Sequence, residues 1–208
     1  MRRITTAILS AVTVLSLAGV ALAEDAENTG LAIGDALPMA DVKMKNVDGK
    51  EFSIADVQGK KGTLVIFSCN ACPFAKAWEK RIVEIGNTYP KRGVGVIVIN
   101  SNDPNRVAAD GYEEMQERAK DRGMRYPYVV DATSELARTF GASHTPEAFV
   151  FDKDGKLVYH GAVDDNTEPG KVKQRYLQEV LKAVVAGKDV ALKETKSIGC
   201  SIKFRPKA

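Results

Sequence analysis

The chain has 208 residues, which suits one domain with a full hydrophobic core, and nothing in its length calls for a second domain. Its 30 Lys and Arg residues nearly balance its 27 Asp and Glu residues, which argues against a general role in binding nucleic acid or other polyanions. The cysteines number three, so they cannot all pair within one chain, and this argues against a purely structural disulfide framework.

The N-terminal residues have the pattern of a secretory signal peptide. Arg2 and Arg3 precede a largely apolar segment, and the small residues Ala21 and Ala23 form a typical cleavage site. The apolar segment is short for a membrane anchor, and no later stretch is apolar enough to span a bilayer. We therefore predict a signal peptide over residues 1–23, export to the periplasm and no stable membrane span after cleavage. An uncleaved anchor is the alternative.

Polar and small residues follow, and then the pattern of an ordered domain begins. We expect a flexible leader over residues 24–33 and a single domain over residues 34–190. Residues 41–52 alternate polar and apolar side chains around an Asp-Gly pair, which predicts an N-terminal β-hairpin. Residues 63–67 are apolar or β-branched, as in a strand buried on both faces, and this strand leads directly to the first cysteine.

After Pro73, which suits a first helical turn, apolar residues recur at steps of three and four and predict a helix that stops at Pro90. The members of this stripe are Phe74, Trp78, Ile82, Ile85 and Tyr89. Further strands are predicted over 94–100, 126–130, 147–152 and 156–161, and further helices over 111–122, 134–140 and 170–186. This order of elements predicts an α/β fold with a central mixed sheet flanked by helices.

The chemistry of the chain centres on Cys69 and Cys72, which are separated by Asn70 and Ala71. Two thiols at this spacing can close a disulfide within one helical turn. The unpaired N–H groups and the dipole at a helix N-terminus favour a thiolate, and the thiolate is the form that attacks a disulfide. The spacing therefore predicts a redox site, and a thiolate on Cys69 would be favoured if Cys69 lies at the helix N-terminus.

The arrangement as a whole resembles the thioredoxin fold, with a strand ending in the cysteine pair, a helix beginning there, and a Thr-Pro pair before an antiparallel hairpin. The resemblance covers most of the chain after residue 23. In that family the proline is cis and faces the disulfide, where the adjacent backbone pairs with the substrate chain. The resemblance thus implies that Thr145 and Pro146 form the substrate-docking loop. An ordinary trans proline that opens a strand is the alternative.

More narrowly, the sequence is similar to the peroxiredoxin-like branch of the alkyl hydroperoxide reductase and thiol-specific antioxidant (redoxin) family. The matching segments are Gly34-Asp35 with Pro38, Phe67 to Phe74, Tyr126-Pro127-Tyr128 with Asp131, Gly141-Ala142 with Thr145-Pro146-Glu147, and Ile198 to Lys203. In this comparison Cys72 is the peroxidatic cysteine. The Thr and Arg with which peroxiredoxins stabilise the thiolate and the developing oxyanion are replaced here by Cys69 and Pro146, so peroxide reduction should be slow at best.

The roles of the cysteines therefore have two assignments. In the thioredoxin assignment, which we favour, Cys69 is the exposed nucleophile and Cys72 is the buried resolving thiol. In the peroxiredoxin assignment, Cys72 attacks peroxide and Cys69 or Cys200 resolves the product. The two assignments predict opposite effects when one cysteine of the pair is removed.

Cys200 lies in a basic C-terminal tail, residues 191–208, which we expect to be a solvated terminus. Three interpretations of this cysteine are open: a buried free thiol, a third redox thiol, or a ligand of a Cys₃His metal site with Cys69, Cys72 and His144. The fold and the spacing already explain the cysteine pair, so we expect no metal.

The main hypothesis is an exported thiol–disulfide oxidoreductase that exchanges a Cys69–Cys72 disulfide or dithiol with protein substrates and with a redox partner protein. A peroxiredoxin-like peroxidase acting on peroxide through Cys72 is the second hypothesis. A non-catalytic metal-binding or structural module with the thioredoxin fold is the third. The sequence implies no small-molecule cofactor and no nucleic-acid partner.

Overall fold

A mixed β-sheet organises residues 30–207, the part of the chain that the computed structural model describes. The strands are β1 (Met44–Asn46), β2 (Glu51–Phe52), β3 (Gly62–Phe67), β4 (Val94–Asn100), β5 (Tyr128–Val130), β6 (His144–Thr145), β7 (Glu147–Asp152), β8 (Leu157–Gly161) and β9 (Cys200–Ser201). The central sheet has the spatial order β2-β1-β5-β4-β3-β7-β8, and β6 pairs with β9 beside it. The helices are α1 (Ile54–Val57), α2 (Pro73–Thr88), α3 (Tyr112–Arg122), α4 (Glu135–Phe140) and α5 (Tyr176–Val185).

Strand β3 lies at the centre of the sheet and leads to the cysteine pair. It runs parallel to β4 on one side and antiparallel to β7 on the other. Every residue of β3 and β4 is buried, because helices or loops cover both faces, and this explains their continuous apolar sequences. The predicted α/β fold with a central mixed sheet, flanking helices and an N-terminal β-hairpin is confirmed.

Helix α2 packs one face against the sheet through Trp78, Ile82 and Ile85, as the apolar stripe predicts. Full burial of a large apolar side chain contributes about 1.5–3 kcal/mol, so this face fixes the helix on the sheet. Phe74 is the exception, because it is 36% exposed and stacks on Trp78 with 6.3 Å between ring centroids. It lies in the first turn of α2.

A buried ion pair fastens the middle of α2 to the loop after β8. The guanidinium of Arg81 donates to the carboxylate of Asp164, and Trp78 Nε1 donates to the same carboxylate at 2.6 Å. Arg81 also donates to the backbone carbonyls of Asn166 at 2.8 Å and Thr167 at 2.7 Å. Both charges are therefore paired and hydrogen-bonded, which is the condition for burying them.

Two N-terminal predictions fall largely outside residues 30–207. The signal peptide over residues 1–23 lies outside the described residues, as do residues 24–29 of the predicted leader. Residues 30–33 are described and are not a free leader, since Leu31 packs on the core and its N–H donates to the carbonyl of Phe140 at 3.3 Å. Within residues 30–207, no helix is long and apolar enough to cross a membrane.

The C-terminal helix begins later than predicted. Residues 169–171 form a single 3-10 turn, and α5 starts only at Tyr176. Pro169 lies at the start of that turn, where its fixed φ angle is tolerated. The inward residues of α5, among them Leu177, Val180 and Leu181, complete one side of the core.

The prediction of a solvated C-terminal tail is wrong for the segment around Cys200. Ile202 is buried, and its N–H donates to the carbonyl of Ser143 at 2.9 Å. The N–H of Lys203 donates to Asn102 Oδ1 at 2.7 Å, and Arg205 donates from its side chain to the carbonyl of Asp131 at 2.6 Å. The basic composition of the tail gave no sign that Ile202 is buried or that the backbone of the tail forms hydrogen bonds with the domain.

Candidate functional site

The cysteine pair lies between the end of β3 and the start of α2. Cys72 is the N-cap residue of α2, and its Sγ accepts a hydrogen bond from the N–H of Ala75 at 3.5 Å. Pro73 occupies the first helical position, where a missing N–H costs nothing. Cys72, rather than Cys69, therefore lies at the helix N-terminus, because Pro73 is the first helical residue.

Both cysteines of the pair are buried. Cys69 is 6% exposed and Cys72 is 4% exposed. This differs from the predicted exposed nucleophile at Cys69. The cover comes from the loop around Thr145 and from Cys200, which packs against the pair.

Thr145 contacts both sulfurs of the pair. Its Oγ1 lies 3.3 Å from Cys69 Sγ, and its carbonyl oxygen lies 3.1 Å from Cys72 Sγ. The peptide bond between Thr145 and Pro146 is cis, as the resemblance to the thioredoxin fold implies, and the trans alternative is wrong. The structure therefore brings the predicted loop and the predicted thiols into one cluster.

Hydrogen bonds favour a negative charge on Cys72. The thiol of Cys69, the thiol and N–H of Cys200 and the N–H of Ala75 all donate to its sulfur, and together they outweigh burial and lower the pKa of Cys72 to about 4. The carbonyl of Thr145 opposes this effect, since it accepts from a thiol but repels a thiolate. The hydrogen bond to Cys72 raises the pKa of Cys69, as do burial and the charge of Asp110. We therefore assign the thiolate to Cys72.

Cys200 completes a cluster of three sulfurs. It packs against Cys69 and Cys72, and it pairs with Thr145 in the antiparallel β6–β9 ladder. Burial raises the pKa of Cys200 to about 11, and its contact with Cys72 adds to the shift. All the predicted site residues, from the cysteine pair to the Thr-Pro loop and the third thiol, thus lie together.

His144 is the fourth ligand in the metal-site alternative for the three cysteines. Its Nδ1 instead lies 2.8 Å from Ser143 Oγ in an exposed pair. Within residues 30–207, no group of three or more His, Cys, Asp and Glu side chains is arranged to hold a metal ion. The metal alternative for the three cysteines therefore gains no support from the geometry.

Asp110 is a site residue that the sequence did not reveal. It is buried, and its Oδ1 accepts from the backbone N–H groups of Asn70 at 2.6 Å and Ala71 at 3.1 Å. Its Oδ2 accepts from Asn102 Nδ2 at 2.7 Å. A buried carboxylate therefore holds the turn between the two cysteines. The available signal was its position in the loop after β4, the strand parallel to β3, since neighbouring parallel strands end at the same edge.

A small cavity of about 20 Å³ lies behind Cys69. Its lining includes Glu79, Tyr126 and Tyr128. The hydroxyl of Tyr128 donates to Asn70 Oδ1 at 2.9 Å, whereas the buried hydroxyl of Tyr126 has no hydrogen-bond partner among residues 30–207. Burial raises the pKa of both tyrosines, so they stay neutral around the cysteine pair.

Glu147 supports the segments on either side of the site. Its carboxylate accepts from the backbone N–H groups of Ser143 at 2.7 Å and His144 at 2.9 Å, and from Ser197 Oγ at 3.0 Å. His160 Nε2 lies 2.6 Å from the same carboxylate. Burial acts to raise the pKa of Glu147, but these hydrogen bonds outweigh it and hold the pKa below its usual value. The charge thus ties the Thr-Pro loop to the segment that precedes Cys200.

The chain is similar to several known proteins. A solved structure of an uncharacterised conserved protein from Geobacillus kaustophilus is 36% identical, covers 85% of this chain and 94% of its own, and superposes with a TM-score of 0.78. The thiol-disulfide oxidoreductase ResA of Geobacillus thermodenitrificans is 28% identical over 134 residues, which are 63% of this chain and 70% of that protein. A thiol:disulfide interchange protein of the thioredoxin family from Chlorobium tepidum TLS is 27% identical, covers 62% of this chain and 87% of its own, and has a TM-score of 0.50.

The family model for the AhpC/TSA family matches residues 33–160, which include the cysteine pair, the Thr-Pro loop and the central strands. The match confirms the resemblance that the sequence motifs indicated. Cys200 lies beyond the residues that this family model matches. On the extent of this match, the chain belongs to the AhpC/TSA family.

Proposed function

We propose that this protein is an exported thiol–disulfide oxidoreductase that exchanges electrons with protein thiols and disulfides through Cys69 and Cys72. The observation that carries the proposal is the environment of Cys72, which caps the N-terminus of α2 and accepts a hydrogen bond from the N–H of Ala75, while neighbouring donors lower its pKa. A stabilised thiolate beside a second thiol is what exchange chemistry requires. The named activities of the relatives from both Geobacillus thermodenitrificans and Chlorobium tepidum agree with it.

Within the pair, Cys72 is the attacking sulfur. Its thiolate attacks a sulfur of a disulfide and displaces one thiolate, which leaves a mixed disulfide on Cys72. Cys69 then loses its proton and attacks the sulfur of Cys72, which releases the second thiolate and closes the Cys69–Cys72 disulfide. Two electrons pass from the pair to the partner, and the reverse steps oxidise a partner dithiol. This order reverses the roles predicted from the sequence.

The Thr145–Pro146 loop is our proposed docking site for the partner chain. Support comes from the contacts of Thr145 with both sulfurs, at 3.3 Å to Cys69 and 3.1 Å to Cys72. A backbone placed along this loop would meet the sulfurs of the pair. In the structure this position is taken by β9 of the same chain.

Export to the periplasm is part of the proposal. It rests on the signal-peptide pattern of residues 1–23 and on the odd number of cysteines, which suits exchange in an oxidising compartment. Processing of the precursor between Ala23 and Glu24, measured by mass spectrometry of the periplasmic fraction, tests it. An unprocessed protein that stays in the cytoplasm contradicts this part.

Single cysteine variants test the activity. With a two-cysteine peptide and a glutathione buffer, we expect Cys72→Ser to lower the rate of catalysed exchange at least 100-fold. Cys69→Ser combined with Cys200→Ser should instead accumulate mixed disulfides that appear on non-reducing gels, since no neighbouring thiol remains to resolve them. Lys76→Ala, an exposed position in the first turns of α2, is the matched control and should keep the wild-type rate. Equal turnover by Cys72→Ser and wild type would contradict the proposal.

Peroxide reduction is a second candidate, because the lowered pKa of Cys72 is also what a peroxidatic cysteine needs. The thiolate would attack hydrogen peroxide to give a sulfenic acid and hydroxide, and Cys69 would convert the sulfenic acid to a disulfide and water. No Thr or Arg occupies the usual stabilising positions, which are Cys69 and Pro146 here. Consumption of peroxide with dithiothreitol that is no faster than with a free thiol would remove this candidate.

A further inference from the structure

The edge of the Thr-Pro loop carries a strand of the protein itself. Thr145 pairs with Cys200 and His144 pairs with Ser201 in an antiparallel ladder. This is the side of the loop on which the proposed function places a partner chain. The C-terminal strand β9 thus lies where a substrate backbone would lie, and it carries a cysteine opposite Thr145.

The fit of this strand is close. A Cβ atom at Gly199 would lie 2.2 Å from the carbonyl oxygen of Thr145, so only glycine permits the observed approach. Beyond the strand, Ile202 is buried, and Lys203 N–H donates to Asn102 at 2.7 Å. The strand is therefore held on both sides of Cys200.

Cys200 packs against the cysteine pair, which includes the sulfur to which we assign the thiolate. The thiol and the N–H of Cys200 act to lower the pKa of Cys72, and the N–H of Phe74 at the start of α2 acts to lower the pKa of Cys200. Thr145 Oγ1 lies 3.5 Å from the carbonyl oxygen of Cys200. Cys72 thus lies between two thiols, Cys69 and Cys200.

Access differs among the three cysteines. Cys69 and Cys72 are almost fully buried, whereas Cys200 is partly exposed and Ser201 beside it is exposed. A partner protein can approach the face of β9 without displacing it. Cys200 is therefore the most accessible sulfur of the three.

We propose that Cys200 is a third catalytic cysteine, which relays disulfide exchange between the buried Cys69–Cys72 pair and the partner protein. This inference rests on the proposed function and adds the residue that meets the partner. The partner is a protein or peptide dithiol, or its disulfide, presented on an exposed segment. In this relay the sulfur of Cys72 forms a disulfide either with Cys69 or with Cys200.

The exchange balances in two stages. In the first, the Cys200 thiol loses its proton and attacks the Cys72 sulfur of the Cys69–Cys72 disulfide. A Cys72–Cys200 disulfide forms, and Cys69 leaves as a thiolate and takes up a proton. No electrons leave the protein in this stage.

In the second stage, a partner thiolate attacks Cys200. The Cys72–Cys200 bond breaks, Cys72 leaves as a thiolate, and a mixed disulfide joins Cys200 to the partner. The second partner thiol loses its proton and attacks the partner sulfur that is bonded to Cys200. This closes the partner disulfide and releases Cys200 as a thiolate. The protein ends with three reduced sulfurs and has accepted two electrons. The same steps in reverse reduce a partner disulfide.

The pKa values of the thiols favour the second stage, in which Cys72 is the leaving group. A thiol of lower pKa leaves faster from a disulfide, and Cys72 is the most acidic of the three thiols. An incoming thiolate should therefore attack Cys200 and expel Cys72. The N–H of Ala75 still donates to the Cys72 sulfur when it leaves.

The first test compares oxidised wild-type protein with oxidised Cys200→Ser in a single turnover against a two-cysteine peptide. We expect the variant to oxidise the peptide at least tenfold more slowly, while the equilibrium of its Cys69–Cys72 disulfide with glutathione stays within twofold of wild type. Ser201→Ala, on the same strand, should keep the wild-type rate. A wild-type rate with Cys200→Ser would overturn the relay but leave the proposed function standing. Absence of peptide oxidation or reduction by wild type would instead refute the proposed function.

The second test looks for the shared disulfide itself. In Cys69→Ser treated with diamide, peptide mapping by mass spectrometry should find an intramolecular link between Cys72 and Cys200. Gly199→Ala keeps all three thiols but forces the strand away from Thr145, so it should slow peptide oxidation as much as Cys200→Ser does. Failure to form the Cys72–Cys200 link in the folded Cys69→Ser variant, or full activity of Gly199→Ala, would overturn the relay.

Discussion

The backbone N–H of Asn70 donates a hydrogen bond of 2.6 Å to the buried carboxylate of Asp110. The contact fixes the turn between the two cysteines from the far side of the loop after β4. It also places a negative charge where it raises the pKa of Cys69. The carboxylate of Asp110 therefore fixes the turn and favours a negative charge on Cys72 rather than on Cys69.

Replacing Asp110 by Asn tests this role. The amide keeps one acceptor but turns a donor towards Asn102, so we expect a loss of about 1–3 kcal/mol in the free energy of unfolding. The pKa of Cys69 should fall, because a nearby charge is removed. Urea denaturation and thiol titration measure both effects. Asp121→Asn, at an exposed position on α3, serves as the control, and an equal loss there would contradict the assignment.

Loss of the hydroxyl should affect the free energy of unfolding differently at the two tyrosines beside the cavity. Tyr128→Phe removes a hydrogen bond to Asn70 and should cost about 0.5–1.5 kcal/mol. Tyr126→Phe removes a buried hydroxyl that has no partner among residues 30–207, so the free energy of unfolding should stay unchanged or rise. Denaturant unfolding of the two variants side by side decides the matter, and a large loss with Tyr126→Phe would show that the hydroxyl is satisfied in solution.

The buried ion pair on α2 predicts a large stability effect. Asp164→Asn leaves the guanidinium of Arg81 buried without its counter-charge and should lower the free energy of unfolding by about 3–5 kcal/mol. Glu168→Gln removes the partner of Lys171 in an exposed ion pair and should cost no more than about 0.5 kcal/mol. Similar midpoints of urea unfolding for the two variants would refute this interpretation of Asp164.

The charge on Cys72 predicts a pH dependence that is specific to the reduced protein. The pKa of Cys72 is lowered from its ordinary value of 9.0 to about 4, so the folded state holds the thiolate where the unfolded state holds the thiol. Its contribution to stability is fully present above pH 9 and is lost as the pH falls through about 4. Reduced wild type should therefore gain stability relative to reduced Cys72→Ser as the pH rises across this range.

Two measurements check this dependence. Thiolate absorbance near 240 nm should titrate with a midpoint near pH 4 in wild type and should lack this step in Cys72→Ser. Oxidised protein has no titrating thiol in the pair and provides the control for both measurements. A thiolate step at the ordinary pKa of a cysteine would show that the donors around Cys72 do not stabilise its charge.

The sequence predicted the parts of the fold that local patterns determine. The apolar run of residues 63–67 and the stripe on α2 each imply burial, and both are buried apart from Phe74. The site was predicted where residue type and spacing carry the chemistry, as in Cys69 and Cys72. Local patterns also sufficed for the predicted hairpins.

The other features of the fold and of the site could not be predicted, because they depend on contacts between residues that are far apart in the sequence. Asp110 is an ordinary loop aspartate in the sequence and becomes a site residue only because β3 and β4 end side by side. The tail appeared solvated because its charges are near Ile202, yet β6 provides a partner for its backbone. The assignment of the thiolate to Cys72 likewise required knowing where α2 begins and what donates to the sulfur.

The separation of the three cysteines along the chain determines which of them meet first during folding. Cys69 and Cys72 are three positions apart, whereas Cys72 and Cys200 are 128 positions apart (200 minus 72). Closing the long loop costs more entropy, so the effective concentration of Cys200 near Cys72 stays low until β9 pairs with β6. An oxidant that meets the newly made chain will join Cys69 to Cys72 first. The third thiol then reaches a disulfide that is already formed, and this lowers the chance of a wrong pairing.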